Sequence, residues 1–242
     1  MASEIESPIT REVRVRIVAI ENVPRLGFQA HFGVAHQALS RCGIQVNWGS
    51  GAFWDQSMQN IFEETLRQPW DWLLTIDYDS LFTESQLGQL IQHAVGTPGV
   101  DALAPLQAHR ARDTTLAYFG GREEVVSNGG LLQADSAHFG LTLIRAEKIR
   151  ALPKPWFEGL PNDAGEWTKD QTDADIYFWR KWKEVGNTCW IDTAVRIGHL
   201  AEVVRLHDEQ MKIRMMSVKE WKEYQAERDK PLEIRVEKAA AA

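Results

Sequence analysis

Three short apolar runs, separated by two stretches of helical spacing, constrain this chain more than any other feature. Residues 13–20 alternate and then become continuously apolar, as a first sheet strand should. Residues 44–48 form a second run, and Trp72-Leu73-Leu74-Thr75-Ile76 a third. After the first run, Phe28, Phe32, Ala35 and Leu39 recur at helical spacing, and Gly43 fits the stop. A second helix is expected over about 53–66, with Phe53, Ile61, Phe62 and Leu66 inward and Pro69 closing it. Strand, helix, strand, helix, strand is the pattern of a parallel sheet with helices on its faces.

The third run ends in Asp77-Tyr78-Asp79. In open α/β sheets, ligands gather outside the carboxyl ends of the strands. Two acids placed there, one residue apart, can hold a divalent cation between protein and phosphate oxygens. Magnesium and manganese favour such sites, with few protein ligands and substrate phosphates completing the shell.

The alternation continues downstream. Thr83 is placed to cap a helix over 84–95, and residues 100–105 read as a strand. Gly120-Gly121 and Asn128-Gly129-Gly130 mark turns of an expected hairpin. A strand at 139–144 and a short helix at 146–152 follow. Pro153, Pro155, Gly159, Pro161 and Gly165 make 153–171 a loop long enough to carry function. A helix is expected over 173–185, stopped by Gly186, with strands at 188–191 and 194–197. Ser217-Val218-Lys219-Glu220 is a capping-box pattern opening a last helix to about 228.

A chain of 242 residues fits one large domain with a small appendage. We expect a flexible N-terminus over 1–12, a catalytic domain over 13–205, and a helical extension and tail over 206–242. The net charge of -7 argues against bulk attraction to nucleic acid, which needs a basic surface. Ten Trp residues suit either a packed core or a site for sugar and base. Cys42 and Cys189 have no metal-ligand spacing, and a reduced cytoplasmic setting is the simpler reading. No stretch approaches the ~20 apolar residues of a membrane span.

Asp77-Tyr78-Asp79 resembles the Asp-x-Asp signature of GT-A glycosyltransferases. Four stretches fall in the order and approximate spacing of a small family 2-like member, of bacterial or phage type, across about residues 13–205. They are Ile17 to Arg25, the Asp-Tyr-Asp, Phe139 to Arg145 followed by Leu152 to Phe157, and Thr172 to Phe178. Gly186, Asp192 and Gly198-His199 follow the last of them. The resemblance implies a single GT-A-like, Rossmann-like domain with a mostly parallel sheet, helices on both faces and a small hairpin region. It also implies a metal-dependent transfer of sugar from a nucleotide-sugar, a UDP-sugar foremost, to an acceptor hydroxyl. The cofactor would be Mn2+ or Mg2+. The acceptor stays open, with a glycan or a modified DNA base as the options, and the acidic charge gives no positive support to DNA.

By the same resemblance, Asp79 and His199 are the metal ligands, and Asp77 contacts ribose or a metal-bound water. Asp175 falls on the catalytic base of an inverting transfer. The Glu that usually precedes it is Ala174 here, a departure that Asp173 could offset. As plain residues, Asp173 and Asp175 are also what a helix N-terminus favours through its dipole. Glu21 and Arg25, in the loop after the first strand, could meet base or phosphate. Gln56 and Asn60, one turn apart, and Tyr78 are further candidates for the nucleotide-sugar. His138, Gly140, Trp156 and Trp167 fall on the acceptor side. The remaining histidines, 31, 36, 93, 109 and 207, read as ordinary core or surface residues. A nucleotidyltransferase is the rival enzyme, disfavoured by the lack of a Gly-rich loop after the first strand. An inactive nucleotide- or glycan-binding module is the rival outside enzymes.

Overall fold

The computed structural model describes residues 15–23, 27–110, 114–120, 129–168, 170–207 and 210–227. The expected flexible N-terminus, Arg25 and the tail beyond 227 lie outside the described residues.

The first half runs β1 (Ile17–Asn22), α1 (Gln29–Arg41), β2 (Gln45–Gly49), α2 (Trp54–Thr65) and β3 (Trp72–Asp77). A two-residue strand β4 (Ser80–Leu81), helix α3 (Glu84–Gly96) and β5 (Ala102–Gln107) follow. Then come β6 (Ala117–Tyr118), β7 (Leu131–Ala134), β8 (Ser136–Ala137), β9 (Leu141–Arg145) and α4 (Ala146–Ala151). The chain ends with α5 (Ala174–Glu184), β10 (Cys189–His199), β11 (Val203–His207), β12 (Ile213–Ser217) and α6 (Val218–Ala226). Both polar caps read from sequence form as capping boxes, Thr83 with Gln86 and Ser217 with Glu220.

The strands lie in the order β2-β1-β3-β9-β5-β10-β4, with β7 also on β10. β1, β2 and β3 are parallel to one another, and β5 is parallel to β10. β9 runs antiparallel between β3 and β5. This is an α/β fold with a mostly parallel central sheet and helices on both faces.

Strand periodicity sends alternate side chains to opposite faces. Val18 and Ile20 of β1 pack on one face with Met58 and Phe62 of α2 and with Phe178, Trp179 and Trp182 of α5. Ala19 faces the other way, among Ala35 and Leu39 of α1 and Leu87 and Leu90 of α3. Burying each such large side chain contributes about 1.5–3 kcal/mol. The aromatic cluster also fixes α5: the Trp179 indole donates to the Ala137 carbonyl at 2.6 Å and that of Trp182 to the Thr188 carbonyl at 3.0 Å.

Three features differ from the sequence reading. The two strands expected at 188–191 and 194–197 are one strand, β10, with a bulge between Asp192 and Arg196. A bulge bends a strand without ending it. Beyond it β10 runs on to pair with β4, setting His199 opposite Ser80. The β11–β12 hairpin and β4 were not legible as strands. The hairpin expected near residue 120 takes the form of β6 paired with β8, and residues 121–128 between them lie outside the described residues.

Candidate functional site

β3 delivers Asp77 at its carboxyl end, and the turn into β4 buries Asp79. β10 brings His199 to the same place from the far edge of the sheet. Asp79 Oδ2 lies 3.2 Å from His199 Nε2 and 2.9 Å from an Arg110 guanidinium nitrogen. His199 Nδ1 donates to the Ala108 carbonyl at 2.8 Å. A carbonyl can only accept, so this bond fixes the ring and directs Nε2 at Asp79. Metal-binding histidines are commonly held this way. Burial opposes a charge on His199, but the bond to Asp79 and the Ala108 carbonyl raise its pKa overall.

Asp77 behaves differently. Burial, and then the neighbouring charge of Asp79, push its carboxyl up to about 7. The folded chain therefore keeps a proton that the unfolded chain releases above the usual carboxylate range. Stability from this source falls as pH rises from the usual value towards the raised one. Asp77→Asn removes the loss. In chelator, the variant is expected to melt several degrees above the parent at about pH 8 and level with it at about pH 4. Parallel melting curves across that range would show that Asp77 is not strained by its neighbours.

These groups open into a cleft of about 810 Å3, within the range of small-ligand sites. Asn22, Trp54, Tyr78, His138 and Trp167 line it, as do Asp173 and Asp175 at the start of α5. The cleft thus gathers eight of the residues singled out from sequence: Asp77, Tyr78, Asp79, His138, Trp167, Asp173, Asp175 and His199. Tyr78 and Arg110 also border an adjoining cavity of about 550 Å3, where Tyr78 stacks parallel to Phe28. Asp175 is half-buried, and burial, with Asp173 adding to it, raises its pKa. One of its oxygens accepts from the Ile176 amide at 2.8 Å. Asp173 is exposed, and its side chain accepts from Gln171 rather than capping α5.

His138 lines the cleft but has both nitrogens engaged. Nε2 donates to the Pro105 carbonyl at 3.0 Å, and Nδ1 accepts from the Gly140 amide at 3.0 Å. Burial lowers its pKa to about 4, so it is a neutral, fixed imidazole without a free base. Gly140 belongs beneath the cleft, not to an acceptor wall. A Cβ there would sit 2.5 Å from Gln107 Oε1 and 2.7 Å from Ser80 Oγ. Its bareness lets Gln107 reach Ser80 Oγ at 3.0 Å and the Gly198 carbonyl at 3.3 Å, joining β4, β5 and β10.

Four other expected contacts fall elsewhere. Glu21 is not in a loop: it is the fifth residue of β1 and is fully buried on the α1 side, away from the cleft. Asn22, one residue on, faces the cleft instead, because successive strand residues alternate. Gln56 and Asn60 are exposed on α2, whose inward positions are Ser57, Met58, Ile61 and Phe62. Trp156 is core: it packs on Phe62, and its indole donates to the Leu152 carbonyl at 3.0 Å.

The structure adds two residues that sequence reasoning missed. Arg110 gave no signal beyond being a cation in a loop. Asn22 is 2% exposed; its Oδ1 accepts from Ser57 Oγ at 2.7 Å, while its buried Nδ2 finds no partner among the described residues. An idle buried donor in a cleft wall is costly unless a ligand meets it.

No protein-family model and no curated protein matches the sequence. Solved structures do match in fold. The chain is similar to A197 from STIV, at 13% identity and a TM-score of 0.55, over 84% of this chain and 95% of that one. It is also similar to GalNAc-T7, in a structure with UDP, GalNAc and Mn2+, at 9% identity and a TM-score of 0.52. That match covers 78% of this chain and 44% of the other. The likeness shows the fold, a single GT-A-like domain.

Proposed function

We propose that this chain is a metal-dependent glycosyltransferase that moves a sugar from a nucleotide-sugar, a UDP-sugar foremost, to an acceptor hydroxyl. One observation carries the reading. Asp79, His199 and Asp175, drawn from three separate parts of the sheet and its helices, line one cleft at the carboxyl end of β3. The fold it shares with GalNAc-T7, solved with UDP, GalNAc and Mn2+, lends further support.

The donor set fits a divalent cation. Asp79 offers a carboxylate, and His199 a nitrogen whose ring is already oriented. Mn2+ or Mg2+ held there would neutralise the charge that builds on the leaving diphosphate. Arg110 gives up Asp79 and turns its guanidinium to phosphate oxygens, a pairing it suits geometrically. Asp77 contacts a ribose hydroxyl or a metal-bound water. Asn22 offers its idle Nδ2 to the same nucleotide. Trp54 and Trp167 present flat faces to sugar rings, Trp167 being 66% exposed. Asp175 takes the proton of the acceptor hydroxyl, and burial, by raising its pKa, makes it a stronger base than an ordinary carboxylate.

A thermal-shift screen of nucleotide-sugars with and without Mn2+ tests the reading. The expected result is a rise in melting temperature with a UDP-sugar and Mn2+ together, larger than with either alone. Mn2+-dependent release of UDP from that donor should accompany it. Binding without any release would mark an inactive nucleotide-binding module. Pyrophosphate released from a nucleoside triphosphate would mark a nucleotidyltransferase. No described helix is long and apolar enough to cross a membrane.

A further inference from the structure

Behind the cleft, on the other face of β1, lies a second group of ligating side chains. Glu21 is fully buried, and its two oxygens meet two imidazoles of α1. Oε1 lies 2.9 Å from His31 Nε2, and Oε2 lies 2.7 Å from His36 Nε2. One ligand atom from each residue falls within 4.8 Å of the other two.

The protonation of His31 makes this arrangement demanding. Its Nδ1 lies 2.6 Å from the Ser80 carbonyl, which can only accept, so Nδ1 carries a proton. In the neutral ring Nε2 then has a lone pair aimed at a carboxylate oxygen. Two lone pairs at hydrogen-bond distance repel unless a cation lies between them. That cation is either a second proton on His31 or a metal ion. Burial opposes a charge on His31, but the bonds to Glu21 and the Ser80 carbonyl raise its pKa overall, so a proton and a metal ion compete for the same position. Donation of the far ring nitrogen to a carbonyl is the usual support of a ligating histidine.

We propose that Glu21, His31 and His36 form a second metal site, a His2Glu centre for Zn2+ that ties α1 to β1. Two imidazole nitrogens and one carboxylate suit Zn2+, whereas Mn2+ and Mg2+ prefer oxygen-rich shells. Bonds of about 2.0–2.1 Å in a tetrahedral shell place the ligand atoms about 3.3 Å apart. The two imidazole–carboxylate contacts would open by a few tenths of an ångström, while the three ligand atoms, now within 4.8 Å of one another, would draw together around the ion. His36 is steadied by a parallel stack on Trp48 at 4.7 Å and is the partly exposed member of the three. Its side is the way in for the ion and for a water in the fourth position. The Ser80 carbonyl belongs to the residue after Asp79, so the centre also braces the turn that carries the cleft acid. The site does not depend on the sugar-transfer reading.

The test uses the full chain, untagged, with Asp79→Ala to remove the cleft site. After chelation it is titrated with Zn2+ and, separately, with Co2+ as a visible probe. One equivalent of Zn2+ should bind and raise the melting temperature by roughly 5–10 °C at about 100 times Kd. Co2+ should give the visible absorption of a four-coordinate site. His36→Gln, added to Asp79→Ala, keeps a hydrogen-bond partner for Glu21 at a partly exposed position and should abolish both signals. Equal Zn2+ binding with and without His36→Gln would overturn the proposal. So would Asp79→Ala protein that binds no Zn2+ and gives no Co2+ band, which would leave the group as a proton-holding cluster. If His36→Gln fails to fold, the Co2+ spectrum of the Asp79→Ala chain decides alone.

Discussion

Asp79→Ala is expected to abolish Mn2+-dependent binding of UDP-sugars, with a loss in apparent affinity of more than about 100-fold. The carboxylate is 3% exposed, and one of its oxygens serves both His199 and Arg110. His199 Nε2 is directed at Asp79 and is left without its carboxylate partner in the variant. The fold should survive. The Asp79 carbonyl still accepts from the Leu200 amide at 2.8 Å, and the β4–β10 pairing is backbone. Removing one partner of a buried pair is normally costly, but here both partners have an escape. Arg110 is about half exposed and turns to water, and His199 gives up its proton more readily without Asp79. Calorimetry with Mn2+ and UDP, beside the melting temperature, reads both effects. Undiminished Mn2+ affinity would remove Asp79 from the metal site.

Asp175→Asn is expected to lower turnover by roughly 10²–10⁴ while donor binding and melting temperature hold. Phe178, Trp179 and Trp182 bury one face of α5, so the helix start is a fixed platform. Asn keeps the shape and can still accept from the Ile176 amide, as Asp175 does at 2.8 Å. What it loses is the capacity to take a proton. In the parent, burial raises the Asp175 pKa, so protonation should extinguish activity on the acid side, at a pH above the usual carboxylate range. Asp173→Asn is the matched control, since Asp173 is exposed and bonded to Gln171. Survival of Asp175→Asn with failure of Asp173→Asn would move the base to the neighbour. Full activity in both would leave these acids a structural role and point to a retaining transfer.

Local features of this chain were legible because they depend on near neighbours alone. Helical spacing placed α1 and α2, and the Thr83 cap and the capping pair Ser217/Glu220 placed the starts of α3 and α6. The apolar run into Asp77-Tyr78-Asp79 announced a strand ending in acids, and Gly186 marked the end of α5. What depended on distant pairing was not legible. The insertion of antiparallel β9 between β3 and β5, and the bulge that carries β10 on to β4, are choices among strand partners. Local periodicity holds no record of them, yet they bring His199 to Asp79. Face assignment failed for the same reason. Glu21 and Asn22 are adjacent in sequence, but a strand sends them to opposite sides of the sheet. The charged residue therefore went to the histidines of α1 and the amide to the cleft. Trp156, plausible as a stacking platform, was claimed by the aromatic core because α2 and α5 close over it. Composition and spacing decided which elements form and which carry acids, while sheet order decided which of those acids, amides and imidazoles meet.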